Sequence, residues 1–219
     1  RNRDLERSFM GKIEITKKVL GICATNCYTV VDTETKEALI IDPADRADVL
    51  IRDWKDKGVT PTTVLLTHGH FDHIGALAGV KKEYPDIKVY AAAEEKEVME
   101  SPALNLSSSF GAAFTAQADI YLEDGAEIEV LGRKCKCLLV PGHTKGGMCY
   151  YFPEENVVFT GDTLFCYSVG RTDFPTGDAK ALENAIREQL FTLPDETLVL
   201  PGHDAQTMIG KEKKGNPYF

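Results

Sequence analysis

LLTHGHFDHIGA, residues 65–76, sets three histidines and an aspartate within six positions, from His68 to His73. The chain of 219 residues has only five histidines, so chance scatter is a poor account of the cluster. Imidazole is a neutral ligand for borderline metals, and the stretch therefore reads as part of a metal site. The apolar residues just before it, 63–67, have the length and composition of a short buried strand that ends on His68. Delivery of a ligand at a strand's C-terminal end points to an α/β fold, in which functional groups from distant positions meet at strand ends.

The same context recurs down the chain. His143 follows CLLVPG, His203 follows TLVLPG, and Asp162 follows VVFTG. No histidine is left over for an ordinary structural role. Within the motif, the turn leaving the strand can aim His68 and His70 to one side, while Asp72 and His73 begin the next helix and reach another point. An open catalytic metal takes about three protein ligands and keeps a place for water. Seven ligands then suit two metals: three for each, and one carboxylate shared. A closed structural zinc site would use four ligands, usually with cysteine, and is disfavoured.

The remaining pattern is mixed. Strand-like runs cover 13–20, 27–31 and 38–41, the last two joined by a DTETKE turn. Residues 45–57 carry Val49, Ile51 and Trp54 among charges and stop at Gly58, which predicts an amphipathic helix. A second helix is expected over 74–84, a strand over 88–91, and a helix over 94–100. Paired strands follow at 127–131 with 134–140 and at 148–152 with 157–160. A helix over 178–190 takes Asp178 as its N-cap, and 197–200 is the last strand. Hairpin-linked strands early and helix-linked strands late predict an α/β sandwich with mixed sheets. Residues 102–118 show no strand pattern; they either cover the site, line a pocket beside it, or form a plain surface loop. The aromatic pair Tyr218 and Phe219 either packs back on the body or meets a second copy.

Composition narrows the function. The net charge of −9 opposes a phosphate backbone. The only dense basic run, KEKK at 211–214, reads as a solvated tail. No run of 18 apolar residues is present, so no membrane span is expected. The opening residues lack the apolar centre of a signal peptide, which favours a cytoplasmic protein. Residues 1–10 are expected to stand apart from one domain spanning 1–219, with Met10 a natural start. The six cysteines at 23, 27, 135, 137, 149 and 166 form no C-x-x-C pair and are read as buried, reduced thiols.

Taken together, H-x-H-x-D-H at 68–73, then His143, Asp162 and His203 after apolar strands, and Asp42 in LIIDP, resemble the metallo-β-lactamase superfamily. PGHTKGG, GDTLF and GRTDFP are similar to its glyoxalase II-like (hydroxyacylglutathione hydrolase-like) branch, in particular the short bacterial members. The resemblance spans residues 42–203. It implies a four-layer αβ/βα sandwich with the metal site at the edge between two mixed sheets. It also implies His68, His70 and His143 on one metal, Asp72, His73 and His203 on the other, and Asp162 between them. Asp42 would orient the ligands, or simply end a strand before Pro43. The ions implied are two divalent metals, zinc first, with iron or manganese as alternatives.

The chemistry implied is hydrolysis of a small-molecule thioester of the hydroxyacyl-glutathione kind. Two metals sharing a water lower its pKa toward ~7, and Asp72 has an oxygen free to orient that water or relay a proton. Full-length relatives of this branch carry a C-terminal helical domain for glutathione, which the sixteen residues after His203 do not supply. Arg171 stands at the branch's basic glutathione position, where it could bind a substrate carboxylate or pair with Asp173. The main rival is a persulfide dioxygenase with a single iron on His68, His143 and Asp162. A nuclease is disfavoured by the acidic charge, a non-enzymatic role by the open ligand set, and a periplasmic lactamase by the missing signal peptide. A monomer or small homo-oligomer is expected.

Overall fold

A computed structural model describes residues 8–10 and 12–219. Residues 1–7, on which the expectation of a separate leading segment mostly falls, lie outside that range. The first sheet runs in order β1 (Ser8–Met10), β2 (Ile13–Leu20), β3 (Thr25–Asp32), β4 (Glu37–Ile41), β5 (Thr60–Leu65), β6 (Lys88–Ala92) and β7 (Ile120–Leu122). It starts as an antiparallel meander and turns parallel from β4 onward. The second sheet contains β8 (Glu127–Val130), β9 (Arg133–Leu139), β10 (Met148–Phe152) and β11 (Val157–Gly161). A two-stranded ribbon of β12 (Leu164–Phe165) and β13 (Ser168–Val169) follows. The second sheet is then completed beyond β11 by β14 (Leu198–Pro201) and β15 (Thr207–Met208). β11 and β14 are parallel, whereas β8 to β11 form an antiparallel meander. Both sheets are therefore mixed, as expected.

Period-2 side-chain alternation builds the layers. In β4, Leu39 and Ile41 face the second sheet while Ala38 and Ile40 face outward, and all four are buried. Tyr28 and Val30 share the inner space with Cys135, Cys137, Tyr150, Phe159 and Leu200 of the second sheet. The outer face of the first sheet is covered by α1 (Ala47–Asp56), whose Leu50 and Trp54 lie one turn apart and are fully buried. Val49 and Ile51, expected on that face, are only partly covered. After α2 (Phe71–Ile74), α3 (Leu77–Glu83) packs beside α1 through Leu77 and Val80. The short α4 (Lys96–Met99) and α5 (Ser107–Phe110) follow. The outer face of the second sheet is covered by α6 (Ala179–Ala185) and a π-helical turn at Ile186–Leu190, with Leu182, Ile186 and Leu190 buried in line. The result is the four-layer αβ/βα sandwich.

Two departures have local causes. The helix expected over 74–84 is broken, because the Ala76 N–H donates to the Pro43 carbonyl (3.0 Å) rather than one turn back. The close approach requires Gly75, where a Cβ would lie 2.5 Å from the Ala44 carbonyl oxygen. The KEKK run is not a loose surface segment: it belongs to α7 (Ile209–Gly215), held down by a fully buried Glu212 that accepts from the Tyr167 N–H and the Asn216 amide. Phe219 packs back on Phe191 at 4.7 Å, while Tyr218 is exposed. The cysteines are all free, and four of the six are buried; Cys23 and Cys166 are only half-buried, a partial correction. Burial pushes the Cys27 and Cys149 thiols up to about 12, so both stay protonated and inert.

Asp178 caps α6 as expected, its carboxylate accepting from the Ala181 N–H at 2.9 Å. Asp178→Ala should lower stability by about 1 kcal/mol in urea unfolding. A change below the error of that measurement would show that the cap is redundant.

Candidate metal centre

Four of the seven predicted ligands, and Asp42, follow closely on the C-terminal end of a strand. Asp42 follows β4, His68 follows β5, His143 follows β9, Asp162 follows β11 and His203 follows β14. Because β4 and β5 are parallel, and β9, β11 and β14 share one direction, these ends converge on one edge of the sandwich. α2 then carries Asp72 and His73. The Pro-Gly-His pattern before His203 has a steric reason. A Cβ at Gly202 would lie 2.4 Å from Asp162 Oδ1 and 2.7 Å from the His73 ring, so only glycine lets β14 pass the cluster.

The side chains fall into two groups. His68, His70 and His143 offer nitrogens within 4.8 Å of one another, and Asp72, His73 and His203 do the same with two nitrogens and an oxygen. Asp162 lies between them: its Oδ2 is 3.4 Å from His143 Nε2 and 3.3 Å from His203 Nε2, and its Oδ1 is 3.2 Å from His73 Nε2. The structure thus brings together all seven predicted residues.

Asp42 is a member of a third possible group with His68 and His73. Its Oδ2, however, meets the Nδ1 of His73 at 2.8 Å, on the side of the ring away from Asp162. That contact orients the ring and leaves Nε2 facing the cluster. Asp42 is itself held by the Thr67 N–H (2.8 Å) and hydroxyl (2.6 Å). In the same way His143 Nδ1 meets the Arg171 carbonyl at 2.8 Å, which directs its Nε2 inward.

The electrostatics divide along the same line. Burial, then the neighbouring His73, holds the His68 imidazole well below its ordinary value; burial and His143 bring His70 down to about 3. Both rings are therefore neutral, the form that binds a metal. Burial would also press His73 down, but Asp162, Asp72 and Asp42 outweigh it and hold the ring well above its usual value. His203 is likewise lifted against burial, to about 10, by Asp162 and Asp72. Asp162 falls well below the carboxylate range and Asp72 to about 2, both against burial and chiefly because of His73. Protons on His73 and His203 thus balance the two partly buried carboxylates of Asp72 and Asp162, and a divalent cation would displace them.

Donor chemistry fits metal ions: neutral imidazoles on one side, excess carboxylate on the other. The His68 Nε2 is buried without a hydrogen-bond partner and points toward Asp162 Oδ2 at 4.0 Å. An orphaned buried nitrogen of this kind calls for a partner.

Sequence reading missed Glu95. It is fully buried at the start of α4, where its Oε1 accepts from the Gly69 N–H (2.7 Å) and its Oε2 from the Thr144 hydroxyl and Gly146 N–H (both 2.9 Å). It thereby ties the His68–His70 loop to the His143 loop. Burial pushes its carboxyl up to about 7, against the pull of those three donors. In AAAEEKE it looks like any helix-starting acid, so nothing in the sequence singles it out. Thr25, which donates to Asp72 Oδ2 at 2.7 Å, was equally hidden. The Arg171 guanidinium makes a two-pronged pair with Asp173, 2.7 Å at each contact, and lies 4.0 Å over the Phe174 ring. Among the described residues no helix is long and apolar enough to cross a membrane.

Comparison with known proteins agrees with this fold. Residues 20–203 match the metallo-beta-lactamase superfamily. The probable metallo-hydrolase YqgX of Bacillus subtilis is 37% identical over 91% of this chain and 94% of its own length. The hydroxyacylglutathione hydrolase GloC of Haemophilus influenzae is 35% identical over 89% of this chain and 92% of its own. Among solved structures, the BLEG-1 B3 metallo-beta-lactamase superposes with a TM-score of 0.88 at 38% identity, covering 93% of this chain and 98% of that one. TTHA1623 in a di-iron-bound form gives 0.82 at 36% identity, covering 93% and 99%. The chain belongs to the metallo-β-lactamase superfamily.

Proposed function

We propose that the protein is a two-metal hydrolase of small-molecule thioesters of the hydroxyacyl-glutathione kind. The observation that carries this reading is the single Asp162 carboxylate set between two three-residue clusters at one sheet edge. His68, His70 and His143 would hold one ion, Asp72, His73 and His203 the second, and Asp162 both. Bound divalent ions would supply Lewis acidity and bring the pKa of a coordinated water toward ~7. Zinc suits the donor set, and the similarity to a di-iron-bound protein makes iron the alternative. The similarity to a hydroxyacylglutathione hydrolase supports the thioester class.

The chain's own groups then have distinct tasks. Asp42 and the Arg171 carbonyl fix the His73 and His143 rings, so that ligand orientation is set before substrate arrives. Thr25 holds one oxygen of Asp72, and Asp72 takes the proton of the attacking water and passes it to the leaving sulfur. Water oxygen joins the acyl carbon, the C–S bond breaks, and acid and thiol leave. Arg171, on the flank beside His143, would attract an anionic thiol half, exchanging its Asp173 partner for a substrate carboxylate.

A chelator followed by added metal tests this reading. Treatment should lower thioester hydrolysis at least about a hundredfold, and zinc or ferrous iron should restore it. Activity that survives complete metal removal would contradict the proposal. The rival single-iron persulfide dioxygenase, using His68, His143 and Asp162, draws support from the proximity of those three groups. Oxygen uptake with glutathione persulfide, in the absence of thioester turnover, would select it.

A further inference from the structure

Beside the ligand cluster lies a pocket of about 230 Å³ whose wall includes Asp72. Ile22 enters it from the β2–β3 turn, Phe71 from α2, and Phe110 and Phe114 from the 102–118 segment. The rings of Phe71 and Phe110 stack, 4.9 Å between centroids with planes 17° apart. Ile22 is 79% exposed and Phe110 50%. Grouped apolar area left open to solvent marks a binding place.

The pocket is built rather than incidental. The Phe71 N–H donates to the Asn105 carbonyl at 2.8 Å, and the Asn105 amide donates to the Phe114 carbonyl at 2.8 Å. The Ser107 hydroxyl donates to the Phe114 carbonyl and accepts from the Phe114 N–H, at 3.1 and 3.0 Å. These bonds fix the walls without a ligand, as preformed small-molecule sites require. They also set Ser107, Phe110 and Phe114 of the 102–118 segment on the wall of this pocket.

Charge decides what the pocket accepts. Its charged side chains are Asp45 and Asp72, and no Lys, Arg or His occurs among the described residues that line it. An anionic substituent would be repelled, whereas an uncharged apolar one would cover Ile22 and Phe110. The other flank of the cluster has the opposite character. There Phe174 meets the His70 ring at 5.9 Å and the Arg171 guanidinium lies over Phe174.

We infer that this pocket receives the acyl group of the thioester and selects alkyl or aromatic acyl groups over small hydroxyacyl ones. The thiol half of the substrate then lies on the Arg171 flank. The inference rests on the thioester-hydrolase reading above: it keeps the glutathione half of that substrate and replaces the small hydroxyacyl group by a more apolar acyl group.

Metal-loaded full-length protein, assayed on lactoyl-, hexanoyl- and phenylacetyl-glutathione, tests it. The kcat/KM for phenylacetyl should exceed that for lactoyl by about tenfold or more, the scale on which apolar pockets discriminate. That ratio should fall several-fold in Phe110→Ala and Ile22→Ser. A ratio at or below one, with both thioesters turned over, overturns the pocket assignment and leaves the hydrolase reading intact. Turnover of none of them overturns both. Saturation-transfer NMR with phenylacetamide needs no turnover, and contact should weaken several-fold in Phe110→Ala. Equal contact in variant and parent overturns the pocket.

Discussion

His70→Ala is expected to abolish thioester hydrolysis while the protein remains folded. His70 Nδ1 lies 3.0 Å from His143 Nε2, and the ring is neutral and buried, so it packs as a ligand and carries no charge that the fold needs. Removing a residue that only orients a ligand costs roughly 10–100-fold. Loss of a ligand itself should go well beyond that, about a thousandfold or more, with bound metal falling in step. Circular dichroism should stay unchanged, because the sheets pack through Tyr28, Phe159 and their neighbours, remote in sequence from His70. Activity within tenfold of the parent would remove His70 from the mechanism.

Glu95→Gln carries the second large effect. Three donors converge on the two carboxylate oxygens: the Gly69 N–H on one, and the Thr144 hydroxyl with the Gly146 N–H on the other. A glutamine has one acceptor oxygen. Whichever way its amide turns, an NH2 group faces a buried backbone N–H, which leaves that donor orphaned at a cost of about 1–3 kcal/mol. One of the two histidine loops must then shift. Chelator competition should show the affinity of the His68, His70 and His143 site falling about 10–100-fold, as for other residues that hold ligands in place. Affinity equal to the parent would mean that the loops keep their spacing without this carboxylate.

The contrast between His70 and Glu95 also shows what could be read from the sequence. The ligands were legible because four of the seven follow short apolar strands, and strand ends at one sheet edge must converge. In the structure Leu39 and Ile41 of β4 and Cys135 and Cys137 of β9 share the inner layer, but in β4 the run 38–41 is apolar throughout and does not show which face is which. Residues that act through distant partners were not legible. Glu95 reaches Gly69, 26 positions earlier, and Gly146, 51 positions later, and no local pattern records such a contact. The break at Gly75 depends on a carbonyl from the loop after β4, and α7 on a buried Glu212, so both lie beyond propensity. Asp42 was an even choice in the sequence; its contact with His73 Nδ1 gives it a definite task.

Metal content per chain, measured by elemental mass spectrometry on protein purified without a metal-affinity step, tests the central claim most directly. Two clusters sharing Asp162 predict about two ions per chain, zinc or iron. About one ion per chain, unchanged when more metal is offered, would contradict the two-metal hydrolase and turn the site toward single-iron chemistry.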